Sequence, residues 1–294
     1  MPRCADASCV RWRPAFGVWG GVRLNGTWFC SRACAATAVR RGLESPPAVG
    51  ESAGSLPPLR IGALLRHQGA ITQAQLDEAL VSHRKSGLRL GAELQRLGFV
   101  SSATLVRALA AQAGVSYMTA VDPGRVRRAP GGLSADMVRA LGLLPFEAEA
   151  QERRLRVICT APLPRPALRA MARLTGWTAE PYLVDDAVWE RALEGYAPDA
   201  GQEHRSEVVH DVDAASAHVV AAAAAGRDAV VRYAGCGDFV WVRVEGGART
   251  QDVLIASEPP PHAEVGSASP AQRLIARPSG GRREEPCQAA PTAH

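Results

Sequence analysis

Apolar residues between positions 59 and 113 recur at helical spacing, and they do so twice. Leu76, Ala79, Leu80 and His83 fall on one face of a helix, because residues three and four apart share a side. Leu105 and Leu109 repeat Leu76 and Leu80 with an offset of 29 residues. The same offset carries Arg60-Ile61-Gly62 onto Arg89-Leu90-Gly91, Leu65 onto Leu94, Gly69 onto Gly98 and Ile71 onto Val100. So many matches in register predict two copies of one supersecondary unit. Each copy reads as a short helix, a glycine stop and a longer helix. In the first copy Gly69 ends the short helix, and Thr72 with Gln75 makes a capping box for the next. In the second, Gly98 is the stop and Ser101 or Ser102 the cap.

After Gly114 the periods shorten. Residues 115–119, 143–147, 154–160 and 180–184 read as strands. Residues 134–141, 167–175 and 186–196 read as helices, with Gly176 closing the second and Asp185-Asp186 capping the third. Residues 213–225 read as an Ala-rich helix ended by Gly226, and 229–234 with 239–245 as a hairpin. The fold class is therefore α+β: a tandem helical repeat packed with a small α/β subdomain, an N-terminal zinc-binding β-hairpin module and a small C-terminal α/β unit. The expected organisation is a zinc module at 1–45, a linker at 46–58, the repeat at 59–117 and the α+β subdomain at 118–197. A second linker at 198–212, the C-terminal unit at 213–256 and a disordered tail at 257–294 complete it.

Charge and composition narrow the function. The formal excess of +5 lies in residues 1–45, which hold seven arginines against two carboxylates. Such a basic head permits nucleic-acid contact without requiring it. No apolar run is long enough to span a bilayer. Met1-Pro2-Arg3-Cys4 leads into polar residues rather than the apolar core of a signal peptide, so a cytoplasmic protein with no membrane insertion is expected. Lys85, the sole lysine, sits in Arg84-Lys85-Ser86 with no glycine before it, so the sequence has no P-loop. No Ser/His/Asp, Cys/His or paired-carboxylate pattern stands out, and the expectation is a non-enzymatic protein. His204, His210 and His218 are irregularly spaced and suggest no metal site.

The cysteines do. Four of the seven lie in the first 34 residues, as Cys4-x4-Cys9 and Cys30-x3-Cys34. With no secretory signal, such a cluster reads as a metal site rather than a disulfide pair. Strands at Val22–Leu24 and Thr27–Phe29, turned at Asn25-Gly26, bring the two pairs together. The second half, Phe29-Cys30-Ser31-Arg32-Ala33-Cys34, then runs into a helix. It resembles small treble-clef or TRASH-like zinc modules, which implies a structural Zn2+ with four protein ligands and no open position for water. Trp12, Trp19 and Trp28 would fill this small core or stack on a partner.

The repeat resembles the unit of the MshEN domain, the cyclic di-GMP-binding N-terminal domain of type II secretion and type IV pilus assembly ATPases. That unit reads approximately R-L-G-x-x-L-x-x-x-G-x-(I/V)-x4-L-x3-L-x-x-Q, and the resemblance continues to about Tyr196. It implies that two similar units each hold half of a two-fold ligand. Arg60 and Arg89 would offer planar forks to guanine or phosphate oxygens. Gly62 and Gly91 would let backbone approach the ligand. Ile61, Leu65, Leu76, Leu80, Leu90, Leu94, Leu105 and Leu109 would wall the bases, and Gln112 would bond a base edge. His83 stands where the first unit should have its Gln, which alters geometry and pH response. Ile61 replaces the first Leu, and Ala161-Pro162 stands where the family often has Asp-Pro. The resemblance thus implies a sensor or adaptor whose partners are cyclic di-GMP and a protein of the secretion or pilus machinery. Two other readings stay open: a nucleic-acid-binding regulator working through the zinc head, and a docking protein with a degenerate nucleotide site.

Overall fold

The computed structural model of the chain describes residues 3–12, 21–46, 59–127, 132–197, 204–226 and 229–256. Most of the linker expected at 46–58, the tail from 257 and Trp19 lie outside these residues. The head contributes β1 (Val22–Leu24), β2 (Thr27–Phe29) and α1 (Arg32–Glu44). Asn25 and Gly26 both take positive φ, 51° and 74°, as a two-residue hairpin turn of matching twist demands.

The 29-residue offset is a structural repeat. Its first copy is α2 (Ile61–His67) and α3 (Gln73–Ser86), its second α4 (Leu90–Arg96) and α5 (Ser102–Ala113). Gly69 and Gly98 follow the short helices at φ 70° and 72°, a left-handed stop that glycine takes without a Cβ penalty. The Thr72/Gln75 capping box forms: Gln75 N–H donates to Thr72 Oγ1 (3.2 Å) and Thr72 N–H to Gln75 Oε1 (2.8 Å). Ser101 is the cap in the second copy, accepting from Thr104 N–H at 3.1 Å. The copies interlock reciprocally, α2 packing on α5 and α3 on α4. One core results, built from repeat-related pairs: Leu65 with Leu94, Ile71 with Val100, Leu76 with Leu105 and Ala79 with Ala108.

The middle subdomain follows as β3 (Ser116–Tyr117), α6 (Pro123–Arg127), α7 (Ala135–Leu141), β4 (Leu143–Glu149), β5 (Arg154–Cys159), α8 (Arg165–Thr175), β6 (Thr178–Leu183) and α9 (Asp186–Glu194). Its sheet has the order β3-β6-β5-β4. β5 and β6 are parallel, so α8 is their crossover. Asp185 caps α9, accepting from Val188 N–H at 2.9 Å.

The last unit is β7 (His204–Val209), α10 (Val212–Ala225), β8 (Val230–Gly235), β9 (Phe239–Gly246) and β10 (Arg249–Ala256), in sheet order β7-β10-β9-β8. Residues 204–209 correct the expected second linker. They form an edge strand parallel to β10, and their polar sequence reflects that edge position. β9 is buried on both faces, hence its apolar run Phe239–Val242, and the buried Arg243 that breaks it pairs with Asp252. Trp241 and Leu254 face the middle subdomain and share its core with Leu144, Ile158 and Met171. Val240, Val242, Val253 and Ile255 face the other way.

On that second face the head and the C-terminal unit, expected as separate modules, share a hydrophobic core. Phe29, Ala35, Val39 and Leu43 of the head share a core with Ala215, Val219 and Ala223 of α10. Leu24 bridges to Ala229 beside β8, and Asn25 N–H donates to Ala229 O at 2.9 Å. The Asn25 amide donates to Val231 O (3.0 Å) and accepts from Val231 N–H (2.7 Å). Arg40 pairs with Asp213. The physical reason is size: a segment this short cannot bury enough apolar surface by itself.

Candidate functional site

Arg60 and Arg89 occupy the same place in each copy. Each is the N-cap of a seven-residue helix, with φ/ψ of −64°/129° and −62°/143°. Both are exposed, and among the described residues neither guanidinium has a hydrogen-bond or ion-pair partner. The residues that hold them are crossed between copies. Gln112 of the second copy donates its amide N–H to the carbonyl of Leu59, just before Arg60. His83 of the first copy bonds through Nδ1 to the carbonyl of Leu88, just before Arg89. Each long helix therefore fastens the Leu-Arg segment of the other unit.

The remaining repeat residues divide between core and surface. A Cβ on Gly62 would lie 2.6 Å from Leu76 Cδ1 and 3.2 Å from Leu90 Cδ2. One on Gly91 would meet Leu105 at 3.1 Å. Both glycines thus serve close helix packing, and the Gly62–Leu90 approach sets the starts of α2 and α4 side by side. Leu65 and Leu94 have no exposed surface, and Leu76 and Leu105 are buried as well. Ile61, Leu80, Leu90 and Leu109 are half-buried. Sequence reasoning passed over Leu59 and Leu88, which are 68% and 44% exposed beside the two arginines. Their shared 29-residue offset was the available signal.

One position breaks the repeat. Leu64 of the first copy corresponds to Glu93, which is buried against α3. Glu93 accepts from Ser86 Oγ, from Arg96 Nε (2.9 Å) and from Ser82 Oγ (3.0 Å). The Ser86 hydroxyl first, then Arg96, hold its carboxyl below the usual range despite burial.

At the other end of the chain the sulfur atoms of Cys4, Cys9, Cys30 and Cys34 all lie within 4.8 Å of one another. Cys9 and Cys30 are 3.5 Å apart, Cys30 and Cys34 3.6 Å. Four sulfurs around a zinc at about 2.3 Å would be separated by about 3.8 Å, so the set fits a tetrahedral soft cation. Local structure explains the placement. Cys4 and Cys9 flank a tight loop closed by Cys4 N–H to Arg11 O and Cys9 N–H to Asp6 O, both 2.9 Å. Cys30 follows β2, and Cys34 sits in the first turn of α1, capped by Ser31. Cys30 N–H donates to Cys4 Sγ at 3.4 Å, the kind of backbone support that orients a thiolate ligand. Burial works against the Cys4 thiolate, yet the N–H groups of Cys30 and Asp6 leave it below its ordinary value. At Cys34 the Ser31 hydroxyl pulls downward, but burial and the Cys30 and Cys9 thiols push it up to about 12. Among the described residues this is the one cluster of three or more Cys, His and carboxylate groups placed to hold a metal.

Other polar groups are structural. Asp252, with no exposed surface, accepts from Trp241 Nε1 (2.8 Å), His204 Nε2 (2.8 Å) and Arg243 Nη2 (3.2 Å). Burial pushes the Cys236 thiol up to about 12 and the Cys159 thiol up as well, which makes both poor nucleophiles. A cavity of about 240 Å³ lies between Thr160–Pro164 and the Cys236–Phe239 turn. A groove of about 420 Å³ runs between α10 and the β7–β10 side of the sheet. No helix among the described residues is long and apolar enough to cross a membrane.

Residues 114–203 match the MshEN domain family. The match opens where α5 ends, so it covers the α/β subdomain and leaves the repeat outside it. The chain is also similar to the type IV pilus assembly ATPase PilB of Thermus thermophilus, at 28% identity over 145 residues. That stretch is 48% of this chain and 16% of the ATPase. The bacteriophage adsorption protein B of Escherichia coli K12 is 36% identical over 110 residues, which is 36% of this chain and 14% of that protein. The chain therefore spans a small part of either relative. Among solved structures, MshE with cdg aligns at 26% identity with a TM-score of 0.40, covering 47% of this chain and 99% of that one. The N-terminal domain of XpsE aligns at 22% identity with a TM-score of 0.36, covering 47% and 93%.

Proposed function

We propose that the repeat and its MshEN domain form a non-enzymatic sensor of cyclic di-GMP. One observation carries this reading: two exposed arginines with no partner among the described residues, in equivalent N-cap positions, the leucine before each held by a side chain from the opposite copy. A two-fold arrangement of planar donors suits a two-fold dinucleotide. Arg60 and Arg89 take its phosphate or guanine oxygens. Leu59, Leu88, Ile61 and Leu90 supply the apolar surface beside them. Gln112 and His83 keep both segments in position. The fully buried Leu65 and Leu94 support the site from beneath.

The pilus assembly ATPase among its relatives points to a partner in pilus or secretion machinery. The protein acts in the cytoplasm, where the dinucleotide is made and where such motors work. The Cys4, Cys9, Cys30 and Cys34 set holds a structural Zn2+. Calorimetric titration of the full chain with cyclic di-GMP tests the sensor reading. One ligand per chain is expected, with Arg60→Ala and Arg89→Ala each weakening binding by about tenfold or more. Absence of heat together with an unchanged melting temperature overturns it.

A further inference from the structure

The four cysteines lie at the seam between the two ends of the chain. Cys4 belongs to the core shared by Phe29, Val39 and Leu43 of the head and Ala215, Val219 and Ala223 of α10. The head has little else to fold around. Its two strands have three residues each, and an isolated two-stranded hairpin is marginal in water. A segment of about 40 residues ordinarily needs a metal, a disulfide or a partner surface.

The C-terminal unit needs the head in return. Val212–Ala225 is apolar nearly all round, a pattern that requires cover on two sides. The sheet supplies one side and α1 the other. The start of β8 is occupied by Leu24 and Asn25. The MshEN domain, by contrast, meets the opposite face of the sheet, through Trp241, Leu254 and Ala234.

We infer that a single soft divalent cation of the zinc class, held by the four thiolates, pins a two-ended domain together. It folds the head, and the folded head seals α10 and the end of β8. This rests on the zinc reading given above and adds what the ion does. Its free energy of binding is spent on closing the two ends of the chain around the MshEN domain, because the ligand set does not exist in the unfolded head.

Hydrogen exchange on the full-length protein, with the metal bound and after chelation, tests this. Metal content and the thiolate charge-transfer absorption of the Co(II)-loaded protein first establish whether the site is filled. After chelation, exchange should accelerate together in 22–44, 212–225 and 230–235, by about tenfold or more, while 73–86 and 102–113 keep their protection. If the ion leaves and 212–235 stays protected, the pin is refuted and the zinc site stands. If protection is lost equally in the repeat, the pin is refuted too, because the ion then holds the whole chain. If the protein holds no metal and Co(II) gives no thiolate band, the zinc reading fails and takes the pin with it.

Discussion

Asn25 shows how much a single turn residue carries. It closes the head hairpin at φ 51°, and its amide makes both hydrogen bonds available from Val231. Alanine there removes both bonds and leaves the Val231 N–H without its acceptor. Asn25→Ala should lower stability by about 1–3 kcal/mol in urea unfolding followed by tryptophan fluorescence. Asp252 is a stricter case, since Trp241, His204 and Arg243 all converge on one buried carboxylate. Asp252→Ala strands an arginine that is itself mostly buried, and the expected loss is about 3–5 kcal/mol by the same measurement. At this scale the sequence disclosed which side chains matter better than what they touch. His83 and Gln112 were legible as hydrogen-bonding positions, but not their partners: the Gln112 amide reaches a carbonyl 53 residues back, and the His83 ring turns to the Leu88 carbonyl five residues on, beyond the end of its own helix.

Helices with local caps were legible almost to the residue. Thr72, Ser101 and Asp185 cap the helices their positions predict, because a cap bonds within three residues, and Ser134, expected as the first helical residue, is a cap as well. The strands β7 and β10 were not, because His204-Arg205-Ser206-Glu207 and Arg249-Thr250-Gln251-Asp252 read as polar loop until each finds the other. The repeat makes its own prediction. Leu65 and Leu94 are equivalent and completely buried, so Leu65→Ala and Leu94→Ala should each cost about 2–5 kcal/mol, and by similar amounts. The asymmetric Glu93 gives the α3–α4 contact an acid limit. Its folded pKa lies below the unfolded value of 4.5, so its contribution is complete above pH 4.5 and is lost as pH falls through the folded value. Melting curves across that window should show Glu93→Gln with a flatter acid limb than the unaltered protein.

For the whole molecule the main surprise was connectivity. The head, the repeat, the α/β subdomain and the C-terminal unit share three cores: one in the repeat, one between the α/β subdomain and the C-terminal sheet, and one between that sheet's other face and the head. Composition marks where a segment changes character, but it cannot mark which distant segment covers an apolar face. The Ala-rich α10, apolar nearly all round, was the one local hint that two covers were needed. The duplicated unit, in contrast, was fully legible, since symmetry is written into the sequence as a fixed offset. The same symmetry presents Arg60 and Arg89 as equivalent groups, without partners among the described residues, on one side-by-side pair of helix starts. Titrating the full chain with cyclic di-GMP, alongside Arg60→Ala and Arg89→Ala, asks directly whether that pair is a binding site. The account predicts one ligand per chain and comparable weakening from either substitution. Binding that ignores both substitutions, or no binding at all, would contradict it.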